Sequence, residues 1–184
     1  MTAVETAATG TEPPNNRYAP LLIVLTMVMI AVLTVFFIVF QYATVSGPSM
    51  RPSLVSDDRL LLTRGYPVAH RGDIVVFNWT FPSGPEEVVK RVVGLPGDVV
   101  VMQGDVAWVN GVREPSDHQL ITAAADVPFG PAKVPDGTLF VLGDNRPVSL
   151  DSRFIGFVPL NMVKGRAVAV FSPVDRMRLV PGGK

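Results

Sequence analysis

The chain has 184 residues, no net formal charge and 48% hydrophobic residues, enough for one globular domain with an appendage. Without a basic excess there is no phosphate-binding face, so no nucleic-acid partner is expected. The absence of cysteine removes disulfides, thiolate metal sites and a cysteine nucleophile.

Residues 1–20 contain Pro13, Pro14, Asn15 and Asn16 and show no apolar periodicity, the composition of a disordered tail. Residues 21–40 then read LLIVLTMVMIAVLTVFFIVF, uncharged, with Thr26 and Thr34 as the only polar side chains. At about 1.5 Å per residue a helix here covers roughly 30 Å, the thickness of a bilayer core, which predicts a transmembrane helix and a lipid partner. A cleavable signal peptide would have a shorter apolar region, about 7–15 residues, behind a basic segment. Here Arg17 is the only preceding basic side chain, and Gln41 is too large for a cleavage site. The positive-inside rule does not orient the span, since Arg17 flanks one end while Arg51 and Arg59 follow the other.

Residues 41–184 read as a single mainly β domain. The apolar runs are 59–63, 73–79, 87–93, 99–102, 107–109, 138–142 and 165–171, rich in Val, Ile and Phe. They are separated by turns such as Arg71-Gly72-Asp73, Leu95-Pro96-Gly97-Asp98 and Pro135-Asp136-Gly137, the signature of strands. Asn110-Gly111 between Trp108-Val109 and Val112 predicts a type I′ hairpin. Residues 159–163 suit one short helical turn, and residues 113–134 look like a surface excursion. The expected architecture is antiparallel β, as packed sheets or a partly closed barrel behind the N-terminal helix.

Three clusters could carry chemistry. In the first, Gly47, Pro48 and Pro52 constrain the backbone around Ser49, which suits an exposed hydroxyl beside a free N–H, although the segment alone reads more readily as a juxtamembrane loop. In the second, Lys90 and Arg91 interrupt an apolar strand. Alternation sends one inward, and only lysine can lose its proton, so Lys90 is the candidate base and Arg91 is expected on the outer face. A solvated edge strand with both charges exposed fits that segment as well. The third, residues 143–153, is dense in hydrogen-bonding side chains and has no histidine, a poor fit to a metal site. The only histidines, His70 and His118, are weak candidates for a catalytic base, and Asp57-Asp58 and Glu86-Glu87 read as solvated faces.

Taken in order behind one anchor, these clusters resemble the signature of bacterial type I signal peptidases, the Ser–Lys serine proteases. Ser49-Met50-Arg51-Pro52-Ser53-Leu54 resembles the nucleophile segment, residues 71–77 a structural strand, residues 90–98 the base segment and residues 143–156 the last one. The resemblance spans roughly residues 44–172. It implies that Ser49 attacks the peptide carbonyl and that Lys90 takes its proton and returns it to the leaving amine. It also implies that Ser149 hydrogen-bonds Lys90, that Asp151 and Arg153 form a supporting ion pair with Asp144 and Arg146 nearby, and that Met50, Val88 and Val89 contact substrate. The Ser49 N–H would help hold the oxyanion. Some family members carry a serine two residues before the nucleophile as a second oxyanion donor; this chain has Gly47 there.

By the same resemblance the substrates are secreted preproteins, bound extended beside strand 88–90 and cut after small residues at −1 and −3, with no cofactor. The enzyme is expected in the cell membrane as a single-pass protein, its catalytic domain outside the cytoplasm and its tail inside. Association with the secretion machinery is compatible with that placement. Phe40 and Ser49 are nine residues apart, at most about 30 Å, which keeps the site near the bilayer surface. The alternative from another class is a non-enzymatic, membrane-tethered β domain.

Overall fold

The computed structural model describes residues 17–66, 68–115, 120–122 and 128–183. The chain divides into two compact units, one through Phe37 and one from Ile38. Most of the tail read as disordered, residues 1–16, lies outside the described residues, as does His118.

In the first unit a single helix, α1 (Ala19–Val39), carries no charged side chain. Its mean hydropathy is 3.1, and it is long and apolar enough to cross a membrane. The Thr26 and Thr34 hydroxyls donate to the carbonyls of Leu22 and Ile30, 2.8 Å away in each case, so neither polar group is left open on an apolar face.

The second unit is built from strands β1 (Phe40–Thr44), β2 (Arg59–Arg64), β3 (Ile74–Phe81), β4 (Gly84–Gly94), β5 (Val99–Gln103), β6 (Val106–Val109), β7 (Val112–Arg113), β8 (Phe129–Lys133), β9 (Thr138–Leu142), β10 (Val158–Pro159), β11 (Val163–Ser172) and β12 (Arg178–Leu179). A one-turn helix, α2, covers Ser152–Ile155. Every paired strand is antiparallel. The larger sheet runs β1-β2-β11-β3-β4-β9-β10, with β12 on β11, and the smaller runs β7-β6-β5-β8. This is the mainly β architecture that the alternating runs predict.

Three apolar clusters hold the domain together. Ile74 and Val76 of β3 pack with Val89, Leu60 and Leu62. Val75 and Phe77 of the same strand join Val88, Val92, Leu139 and Val141. Val93, Phe140 and Leu142 close on the small sheet through Val100, Ala107 and Val109. Residues 74–77 of β3, 88–94 of β4 and 139–142 of β9 are therefore buried on both faces, which is why these stretches are almost continuously apolar apart from Lys90 and Arg91. Each buried Val, Leu or Phe contributes about 1.5–3 kcal/mol to the fold.

Four expectations change. Arg91 does not face outward: it is 9% exposed, because the second face of β4 is also covered. Asp58 is not solvated but fully buried, held by Arg176 at 2.7 and 3.0 Å. Phe40 belongs to β1 rather than to the helix. The segment 113–134 is only partly an excursion, since Glu114 and Val134 are buried and Phe129–Lys133 pairs with β5. The Asn110-Gly111 hairpin forms as expected, with both residues at positive φ, 51° and 78°, and residues 160–162 make a single helical turn.

Candidate active site

The segment around Ser49, the candidate nucleophile, is a turn between β1 and β2. The N–H of Arg51 donates to the Pro48 carbonyl at 3.1 Å and that of Leu54 to the Met50 carbonyl at 2.9 Å, winding the chain into a short coil. Gly47 enters it at a φ of 80°, which an L side chain adopts only with strain. Met50 and Leu54 anchor the coil in the core, each 1% exposed. Ser49 is left half-buried, its N–H donating to no group among the described residues.

Lys90 approaches from β4, opposite Val75 of β3. Its face of the strand also carries Val88 and Val92, so the side chain is 4% exposed in apolar surroundings. The Lys90 Nζ lies 2.8 Å from the Ser49 Oγ and 3.1 Å from the Val89 carbonyl. Burial pushes its pKa down from 10.5 to about 8, against the opposing pull of the Asp151 and Asp144 charges. The structure thus brings together the two residues that the sequence nominates as nucleophile and base.

The loop after β9 supports them. Gly143 sits between the Ser49 carbonyl and the Ser149 side chain. A Cβ at this glycine would fall 2.6 Å from the former and 2.2 Å from the Ser149 Oγ, so only glycine fits. The Gly143 N–H donates to Asp151 at 3.0 Å, and the Gly143 carbonyl accepts from the Arg146 Nε at 2.8 Å. Arg153 bonds Asp151 through its Nε at 2.8 Å and its Nη2 at 3.0 Å, forming the expected ion pair, and its Nη2 also reaches the Arg146 carbonyl at 2.6 Å. The other two charged members take different partners. Asp144 is held in a two-pronged pair by Arg91, at 2.8 and 2.7 Å, and Arg146 is held the same way by Glu114, at 2.7 Å on both oxygens. Arg146 is 1% and Asp144 0% exposed, so these pairs neutralise charges that could not otherwise be buried.

Ser149 is brought to the site but does not touch the lysine here. Its Oγ is buried and has no hydrogen-bond partner among the described residues. Of the residues expected to contact substrate, Met50 and Val89 are packed in the core beneath β2 and β3, and Val88 lies on the Lys90 face; all three are nearly fully buried. His70 is on the surface, its Nδ1 3.6 Å from Asp73, and has no part in the site. No group of three or more His, Cys, Asp or Glu side chains arranged for a metal occurs among the described residues.

Asn145 escapes sequence reading. Its backbone N–H donates to the Ser49 carbonyl at 2.9 Å and its Nδ2 to the Pro48 carbonyl at 3.1 Å, clamping the nucleophile turn to the β9 loop. Glu114 escapes it too, because it lies far along the chain in an irregular segment. Its only signal in the sequence is an acidic residue beside a predicted hairpin.

A second feature concerns β4 itself. Residues 84–91 pair with β3 on one side, whereas β9 covers only 91–94 on the other. The stretch before Arg91, up to and including Lys90, therefore presents an unpaired backbone edge next to the lysine.

A β-rich domain that holds a half-buried serine hydroxyl against a buried lysine whose pKa burial lowers is the arrangement of a serine hydrolase. The sequence model of the signal peptidase family, peptidase S26, matches residues 18–172. The signal peptidase I of Leptolyngbya laminosa is 40% identical over 142 residues, covering 72% of this chain and 69% of that one. The probable signal peptidase I-2 of Synechocystis sp. is 38% identical over 184 residues, covering 96% of this chain and 83% of its own. The signal peptidase I of Bacillus licheniformis is 36% identical and covers 92% of this chain and 96% of its own. A crystal structure of a signal peptidase I from Enterococcus faecalis V583 matches with 32% identity and a TM-score of 0.42, covering 56% of this chain and 98% of that chain. The chain belongs to the signal peptidase family, peptidase S26, and is a serine endopeptidase.

Proposed function

We propose that this enzyme removes N-terminal signal peptides from translocated preproteins by a Ser49–Lys90 dyad. The observation that carries the reading is the 2.8 Å contact between the Ser49 Oγ and a lysine whose pKa burial lowers to about 8. With a pKa near 8 instead of 10.5, a minor fraction of the lysine is free of its proton near neutral pH, and that fraction grows as the pH rises. Neutral Lys90 takes the Ser49 proton as the hydroxyl attacks the scissile carbonyl, and the lysinium then protonates the leaving amine. Water hydrolyses the acyl-enzyme with Lys90 again as base. The Ser49 N–H, which donates to no group among the described residues, is available to receive the oxyanion, and the Asn145 clamp keeps that turn in place. The orphaned Ser149 hydroxyl has one obvious use: to accept from or donate to Lys90 once substrate excludes water, and so orient the amine.

The substrate adds as a strand to the free edge of β4 at residues 87–90, which places its scissile bond beside Ser49. The small side chains at −1 and −3 would fill shallow apolar recesses that Met50, Val88 and Val89 border, since these three are packed into the core and offer only their edges. Helix α1 (Ala19–Val39) forms the membrane anchor, the residues before it the cytoplasmic tail, and the β domain that starts with β1 at Phe40 the extracytoplasmic catalytic domain. That placement suits substrates leaving the secretion machinery. The test is cleavage of a purified preprotein by the full chain in lipid vesicles, compared with Ser49→Ala. Wild type should release the mature protein and the variant should release none while keeping its thermal midpoint; turnover by the folded variant would end the proposal.

A further inference from the structure

Apart from Ser49, Lys90 and Ser149, the β domain contains a cavity of about 850 Å³ between the large sheet, the β6–β7 hairpin and the C-terminal residues 178–183. That volume is in the range of small-molecule sites. Its walls are apolar, formed by side chains such as Leu54, Ile74, Val93, Val109 and Val112. Four arginines, Arg71, Arg91, Arg113 and Arg178, also line it.

Two of these arginines are neutralised. Arg71 is paired with Asp98 and Arg91 with Asp144. The other two are not. Arg113 is exposed and makes no ion pair among the described residues. Arg178 donates only to the backbone carbonyls of Arg176 and Ser53. The one carboxylate in the lining, Glu114, is already held by Arg146 on both oxygens. Asp58, the carboxylate whose charge acts on Arg178, is already held by Arg176. An apolar hollow with two exposed guanidiniums that make no direct ion pair among the described residues matches a ligand with an apolar body and one anionic head. A neutral ligand would leave the arginines unused, and a cation would be repelled.

We propose that this cavity is a binding site for a single-chain anionic amphiphile, an acyl or alkyl chain ending in a carboxylate or a phosphate. The chain lies along Ile74, Val93 and Val109, and the head is held between Arg113 and Arg178. The site is separate from the proteolytic centre and does not depend on the dyad.

The test uses the full chain in nanodiscs of neutral phosphatidylcholine, photolabelled with three diazirine probes of equal length: an alkyl carboxylate, an alkyl phosphate and an alkyl alcohol. Labelled peptides are mapped by mass spectrometry. Residues 109–115 and 178–183 should take up about tenfold more label from an anionic probe than from the alcohol, the effect of about 1.4 kcal/mol in binding. Preference for the carboxylate identifies a fatty acid, and preference for the phosphate identifies a phosphorylated head. Arg113→Ala with Arg178→Ala should lower that label to the alcohol's level without moving the thermal midpoint. Val112→Trp, at an exposed wall position, should block labelling sterically. Equal labelling by all three probes, unchanged labelling of the variants, or label confined to Ala19–Val39 would overturn the proposal.

Discussion

Replacing Lys90 with methionine should abolish activity and at the same time make the folded chain more stable at neutral pH. The side chain is 4% exposed among valines, and its pKa falls from 10.5 to about 8. That fall corresponds to a penalty of about 3 kcal/mol on the protonated form in the folded state. Methionine fills the same apolar space without a charge, but gives up the hydrogen bonds to Ser49 and Val89, so the net gain should be about 1–3 kcal/mol. The pH dependence is the stronger signature. Well below pH 8 both folded and unfolded chains hold the proton and the full penalty applies. Between pH 8 and 10.5 the unfolded chain keeps a proton that the folded chain has released, so wild-type stability rises across that window. The advantage of Lys90→Met should therefore be largest at pH 7 and shrink toward pH 10.5. The assay is the thermal midpoint of the full chain in neutral detergent, followed through Trp79 and Trp108, at about 2–4 °C per kcal/mol for a chain of this size. A variant less stable than wild type at pH 7, or one whose advantage does not change with pH, would refute the reasoning.

Other substitutions separate positioning from chemistry. Asn145→Ala removes the side-chain bond to the Pro48 carbonyl but keeps the backbone bond to Ser49, so kcat should fall about 3–10-fold with little change in KM, the effect of one neutral hydrogen bond; steady-state kinetics on a peptide substrate decide it. Ser149→Ala removes a buried hydroxyl with no partner in the resting site, so the thermal midpoint should hold or rise. If that hydroxyl orients Lys90 during turnover, kcat should still fall, by a factor corresponding to roughly 1–3 kcal/mol. An unchanged rate would remove Ser149 from the mechanism.

The strands were legible because Gly, Pro and Asp punctuate short runs of Val, Ile and Phe, and β9 has the bounds that its sequence predicts. Ser49 and Lys90 lie on different elements that only the fold brings together, so their contact was legible only through the motifs that carry them. What could not be read followed from burial on two faces. Alternation assigns Arg91 to the face opposite Lys90 correctly, but it cannot tell that this face is also covered, or that Asp144 waits there as a partner. Asp58 is misread for the same reason, because Arg176 is far away in the chain. Asn145 works mainly through backbone geometry, which residue type does not encode. Strand β1 is hidden because Phe40 continues the apolar run of the helix and the four residues left, Gln41-Tyr42-Ala43-Thr44, are too few and too mixed to read as a strand.

The central claim is that Lys90 serves as the base because burial lowers its pKa enough to make the neutral form accessible, and the pH dependence of kcat/KM for wild type and Lys90→Arg tests it most directly. Wild-type activity should climb through an apparent pKa near 8, set by the lysine in the free enzyme. Lys90→Arg keeps the charge but cannot release its proton, so it should be inactive at every pH at which it stays folded. A wild-type profile that is flat from pH 6 to about 10, or an arginine variant with near wild-type activity, would contradict the account.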